Sequence, residues 1–203
     1  MSGIVGSYFN TRGSGVVAKL GTDGQVFTST GAGLSQGFEA APGGGKLGQV
    51  VQTVNLDTAS LSSSSTNTHA DLPGCSVAIT PTATSSKVFF CCTVPVSTNT
   101  GSLHCLLLRD TTVLALADDL GGSHVRDTFM QRSTGTIYSK GAETLTWQYL
   151  DSPSTTSATT YKLQACLGST YNSTIYLGRT YDNDDTDYGP SFSSSLTVME
   201  ILA

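Results

Sequence analysis

In residues 144–149, Thr-Leu-Thr-Trp-Gln-Tyr, large apolar side chains occupy every second position and polar ones the positions between. Successive side chains of a strand point to opposite faces, so this spelling commits the segment to a sheet with one face on a core. Residues 161–167 repeat it, with Tyr161, Leu163, Ala165 and Leu167 set against Lys162, Gln164 and the small Cys166. Lys87-Val88-Phe89-Phe90-Cys91-Cys92-Thr93-Val94 is apolar almost throughout. That run predicts a central strand covered on both faces, by the other sheet and by a neighbouring subunit or loop. Strands are predicted near 46–54, 75–80, 86–96, 103–109, 111–117, 124–131, 135–139, 143–150, 159–168, 174–181 and 194–202. Ser/Thr tracts at 60–68, 81–86 and 151–158 read as the loops between them. Only residues 114–120 have a helical reading, and Gly121-Gly122 cuts it short. Roughly eight to eleven antiparallel strands without helices predict an all-β, jelly-roll-like β-sandwich head over residues 46–203.

Composition supports a packed sheet over a solvated tail. Only 12% of the 203 residues are charged, and Ser plus Thr reach 57. Disordered chains of that polarity lack β-branched and aromatic residues, whereas 8 Tyr, 7 Phe and a Trp occur here. A domain of about 150 residues buries roughly two-thirds of its unfolded surface, enough for a core. A net charge of −5, with ten Lys and Arg scattered singly, argues against nucleic acid as a partner. No stretch approaches the roughly 20 apolar residues of a membrane span, and residues 1–6 lack the features of a signal peptide. Folding in a cytoplasm is the expectation. The five cysteines (75, 91, 92, 105 and 166) fit it: they are odd in number, lack a C-x-x-C, and lie mostly in apolar runs. Buried free thiols are expected, not disulfides or a zinc site.

Residues 1–45 are of another kind. Gly is frequent, large apolar residues are few, and Pro42-Gly43-Gly44-Gly45 reads as a joint. Asp23-Gly24 between 16–18 and 25–28 predicts a β-hairpin. Without a core of its own, such an extended N-terminal arm needs a partner surface.

Motifs for chemistry are weak. Gly33-Leu34-Ser35-Gln36-Gly37 spells a G-x-S-x-G elbow, but no buried strand precedes it and no helix is expected after it. Gly43-Gly44-Gly45-Lys46 lacks the first glycine and the closing hydroxyl of a phosphate loop, with Ala40 and Leu47 in their places. His69, His104 and His124 have no close-spaced ligand or base partner, and His104 reads as a hydrogen-bonded sandwich histidine. Asp182, Asp184 and Asp187 form the one acidic concentration. As an exposed loop it needs no ligand; as a Ca²⁺ site it would use those three carboxylates, although the EF-hand spacing fails at Asp187 and Ser193. No catalytic residue, resident cofactor or enzymatic activity is expected.

Several phrases resemble a known family. Residues 21–33, Gly-Thr-Asp-Gly-Gln-Val-Phe-Thr-Ser-Thr-Gly-Ala-Gly, look like a segment found before the C-terminal heads of tailed-bacteriophage fibre proteins. Ser76–Pro81, Leu150–Tyr161 and Leu196–Ile201 are similar to phrases in fibre and virion proteins of marine and cyanobacterial phages. The resemblance implies a short homotrimeric tail fibre in the virion, with the head outward toward a host-surface glycan or protein. It implies an arm docked on other virion proteins, tail, baseplate or capsid; the candidate docking residues are Tyr8, Phe9, Arg12, Val16 and Val17. The alternative is a capsid decoration or head-fibre protein clamped to the shell by residues 1–40. Forty-five residues reach at most about 150 Å, so any shaft is short.

Overall fold

The computed structural model describes residues 25–28, 37–40, 46–63, 68–98, 102–122, 124–132, 141–168, 173–182 and 189–202. The chain divides into two compact units, Met1–Gly44 and Gly45–Ala203. In the first, β1 (Gln25–Thr28) pairs antiparallel with β2 (Gly37–Ala40), Phe27 opposite Phe38. The predicted partner of 25–28, residues 16–18, and the Asp23-Gly24 turn lie outside the described residues.

The second unit contains β3 (Lys46–Asn55), β4 (Ala59–Ser63), β5 (Ala70–Ile79), β6 (Lys87–Thr98), β7 (Ser102–Arg109), β8 (Thr112–Leu114), β9 (Phe129–Arg132), β10 (Glu143–Asp151), β11 (Thr159–Gly168), β12 (Ser173–Leu177) and β13 (Ser194–Leu202). All pairings are antiparallel, and no helix occurs among the described residues. One sheet runs β3-β13-β6-β12-β4 with β10 also on β6; the other runs β5-β11-β7-β8 with β9 also on β7. A strand has two edges, and Val96 of β6 pairs with Glu143 of β10 and with Leu177 of β12. So β12 and β13 take successive stretches of one edge of β6, and β10 takes the other. Each sheet is therefore four strands wide. Pairing is nested along the chain: β3 with β13, β5 with β11, β6 with β10, and β7 with β8 and β9.

The core lies between the sheets. Val88, Phe90, Cys92, Val94 and Val96 from β6 meet Tyr161, Leu163, Ala165 and Leu167 from β11, with Val77, Leu107, Leu145 and Val198 around them. Phe90 and Tyr161 are fully buried, with ring centroids 6.2 Å apart. Such offset aromatic contacts add about 1 kcal/mol to the burial of their area.

Several predicted elements are altered. Among the described residues the other sheet covers one face of β6; on the second face, where a neighbouring subunit or loop is expected, Phe89, Cys91 and Pro95 are half-buried and Thr93 is exposed. Its apolar run reflects two different environments, a core on one side and an open sheet face on the other. β8 stops at Leu114 because Ala115 turns into the left-handed region at φ 49°. No helix follows. β12 stops at Leu177 because Gly178 has φ 70°, where a Cβ would lie 2.7 Å from the Asp57 carbonyl oxygen. Part of the 60–68 tract, read as loop, is strand β4, because β12 offers it a ladder. The predicted strand 135–139 lies outside the described residues.

Candidate functional site

Among the described residues of the second unit, three polar clusters and one open face stand out. The first cluster joins residues far apart in sequence. Asp127, two residues before β9, accepts from His104 Nδ1 on β7 at 2.5 Å and from His69 Nε2, just before β5, at 3.2 Å. All three side chains are 10–13% exposed. A carboxylate only accepts, so both imidazoles present their N–H to it. His104 Nε2 then points at Gly168, where a Cβ would sit 2.3 Å away. An aspartate–histidine pair serves a nucleophile only when the far nitrogen reaches one. Here that nitrogen faces backbone. No group of three or more His, Cys, Asp and Glu has metal-binding geometry among the described residues. His124 is exposed and does not join the cluster.

The second cluster ties the sheets together. Arg109 on β7 donates to both oxygens of Asp151 on β10, at 3.0 and 2.8 Å, and the Tyr161 hydroxyl donates to the same carboxylate at 2.7 Å. Burial first, and then the Asp151 carboxylate, pushes the Tyr161 phenol up out of the accessible range. The tyrosine is a donor, not an acid.

In the third, Glu200 on β13 is fully buried, accepting from the Thr82 amide at 2.6 Å, the Thr82 hydroxyl at 2.8 Å and Gln49 Nε2 at 3.0 Å. Burial alone would raise its pKa, but the hydrogen bonds from Gln49 and Thr82 outweigh it and hold the carboxyl down to about 2.

All five cysteines are free, and Cys75, Cys92, Cys105 and Cys166 are buried. Burial pushes Cys75 up to about 12 and Cys92 and Cys166 up to about 11, with Asp127 adding to the effect at Cys166. Those thiols are packing groups, as expected from their apolar runs.

The open face belongs to the six-stranded sheet. Cα partners share a face, so the registers give rows across it. Val50, Met199, Phe89 and Leu150 form one row; Gln52, Thr197, Cys91 and Gln148 the next; Val54, Ser195, Thr93 and Thr146 the third. Leu47 and Ile201 extend the apolar end. Leu47 is 57% exposed, Val50 and Val54 51%, and Leu150 49%. Among the described residues the rows across β3, β13, β6 and β10 have no carboxylate; Lys87 stands at their apolar end, and at the β12 end Arg179 lies over Tyr176, which pairs with Ser97. The opposite sheet carries Asp71 bridged to Lys162 Nζ at 2.8 Å and to Gln164 Nε2 at 2.7 Å on its outer side.

Of the sequence candidates, Tyr8, Phe9, Arg12, Val16 and Val17 lie outside the described residues, as do Asp184 and Asp187. Asp182 is half-buried at the end of a turn where the Arg179 guanidinium lies 4.3 Å over the Tyr176 ring. In the G-x-S-x-G spelling, Gly37 opens strand β2 where an elbow would need a helix. Asp127, Asp151 and Glu200 escaped the sequence reading because their partners are 10 to 151 residues away. The open face had a signal: residues 47–55 contain no charge. No family model matches the chain, and no curated protein is significantly similar to it.

Proposed function

We propose that this chain is a structural virion protein of a tailed phage, a short trimeric tail fibre whose N-terminal 45 residues dock on the particle and whose sandwich faces the host. The observation that carries the reading is the nested strand pairing. First with last, second with next to last, closing on a hairpin of β7 with β8 and β9, is the order produced by rolling up one long antiparallel ribbon. That order supports a jelly-roll reading, an architecture of viral capsid and lectin domains. Fold alone does not assign function. The phage reading also draws on the fibre-like phrases at 21–33, 76–81, 150–161 and 196–201, three of which lie on or beside β5, β10, β11 and β13.

The buried clusters support a non-enzymatic role, since each carboxylate is satisfied by groups that hold the sandwich together. The open face, with Leu47, Val50, Val54 and Leu150 exposed, supports assembly, because exposed apolar surfaces of that kind mark interfaces. Quantitative mass spectrometry of purified particles tests the reading. Tens of copies per particle are expected for a tail fibre. Hundreds, in step with the major shell protein, would move the chain to the capsid-decoration role, and absence from particles would sink both.

A further inference from the structure

We infer that the open face of the six-stranded sheet, from Leu47 and Val50 on β3 across Met199 and Phe89 to Leu150 on β10, is covered by a second copy of this chain. The inference rests on the oligomeric part of the reading above and names the surface that makes the oligomer.

An antiparallel sheet open to water on one side ordinarily alternates apolar-in with polar or charged-out. The outer positions of β3, β13, β6 and β10 instead put four apolar side chains in one row, with neutral hydroxyls and amides in the next two. β3 adds a second anomaly. It is an edge strand of ten residues, and natural edges are protected by charges, prolines or twist. Residues 47–55 have neither charge nor proline. The opposite sheet's edge strand β5 has both devices, with Asp71, Pro73 and a Gly74 at φ 71°.

Charge selects the occupant. The chain carries −5 overall, so two copies repel except where they meet on surfaces without carboxylates. The rows across β3, β13, β6 and β10 are such a surface, with Lys87 at one end and Arg179 beyond the other, over Tyr176. A membrane or nucleic acid would call for several cations there. Four strands about 4.8 Å apart by seven steps of about 3.3 Å give a footprint of roughly 400 Å². A stable pair buries about 800 Å² per partner, so each copy needs this face plus further contact, as in a closed ring where every subunit meets two others.

Cys91, half-buried in the second row, is a built-in reporter, since the other four thiols are buried. The experiment uses the full chain, light-scattering mass and maleimide labelling under native conditions. The wild type is expected to show a multiple of 21.1 kDa and slow labelling at Cys91. Val50→Glu/Leu150→Glu is expected at single-chain mass with labelling accelerated about tenfold or more. Met130→Glu, on the other sheet at a 54% exposed site, is expected to keep the wild-type mass. Gln148→Glu/Thr146→Glu, at positions already exposed and polar, serves where the first variant loses its β circular dichroism. A multimer whose mass neither face variant changes overturns this inference and leaves the oligomeric fibre standing. A single-chain wild type with slow Cys91 labelling overturns it in favour of cover by the chain's own first 45 residues. A single-chain wild type that labels fast overturns both.

Discussion

Gly168 is needed for its missing side chain, because the His104 imidazole fills the place of a Cβ and Asp127 holds that ring in position. A flexible group could swing away; one tied to a carboxylate cannot. Gly168→Ala is expected to cost about 1–3 kcal/mol of stability in urea unfolding. In a His104→Ala background the same change is expected to cost little, since the obstacle is gone, and additive losses would refute the coupling. Glu200 shows the opposite case, a charge kept inside by donors. Glu200→Gln turns amide hydrogens toward the Thr82 and Gln49 donors and is expected to cost about 2 kcal/mol near neutral pH. A carboxyl lowered from 4.5 to about 2 stabilises the fold above pH 4.5 and loses that contribution as pH falls toward 2. The gap between wild type and Glu200→Gln should therefore close over that window, and a constant gap would mean the charge is not the cause.

At the scale of elements, breaks in the ladders are mended by single side chains. β8 and β9 occupy successive stretches of one edge of β7, and Thr128 sits in the gap. Its hydroxyl accepts from the Leu107 amide at 3.1 Å and donates to the Leu114 carbonyl at 2.8 Å, while its own amide donates to the Cys105 carbonyl at 2.9 Å. Thr128→Val keeps the volume and strands both groups, so a loss of about 2 kcal/mol is expected, with faster amide exchange at Leu107. Thr128→Ser should restore most of it. Between the sheets, Asp151 is the anchor for Arg109 and Tyr161. Asp151→Ala leaves a partly buried guanidinium and a fully buried hydroxyl without an acceptor, and is expected to cost about 3 kcal/mol by thermal or urea melting.

For the molecule as a whole, the sandwich core contains Cys75, Cys92 and Cys105, and Cys166 is buried on the outer side of the same sheet as Cys105, opposite His104, so the four should become reactive together. Under native conditions at most one thiol per chain, Cys91, should label readily; the other four are expected to appear in a single step coincident with loss of the β signal. Stepwise release of those four would show that the two sheets come apart independently. The assembly proposed above belongs to this scale as well, since a sheet face without carboxylates is where copies of a chain of net charge −5 would meet with least repulsion.

Strand identity was legible residue by residue. Period-two alternation and β-branched runs locate β3, β6, β7, β10, β11 and β13 to within two residues, because pleating is a local property of the backbone. Turn positions that depend on the neighbouring strand were not: β8 and β12 end early at left-handed residues, and β4 forms only because β12 lies beside it. The buried clusters were illegible for a plainer reason. Asp127 meets His69 across 58 residues and Glu200 meets Thr82 across 118, and no local spacing carries such a pairing. Composition and alternation by themselves determined an all-β chain with a sheet-forming head. Only the tertiary structure decided which face of each strand met the other sheet, because alternation marks two faces and burial depends on what the fold lays against them.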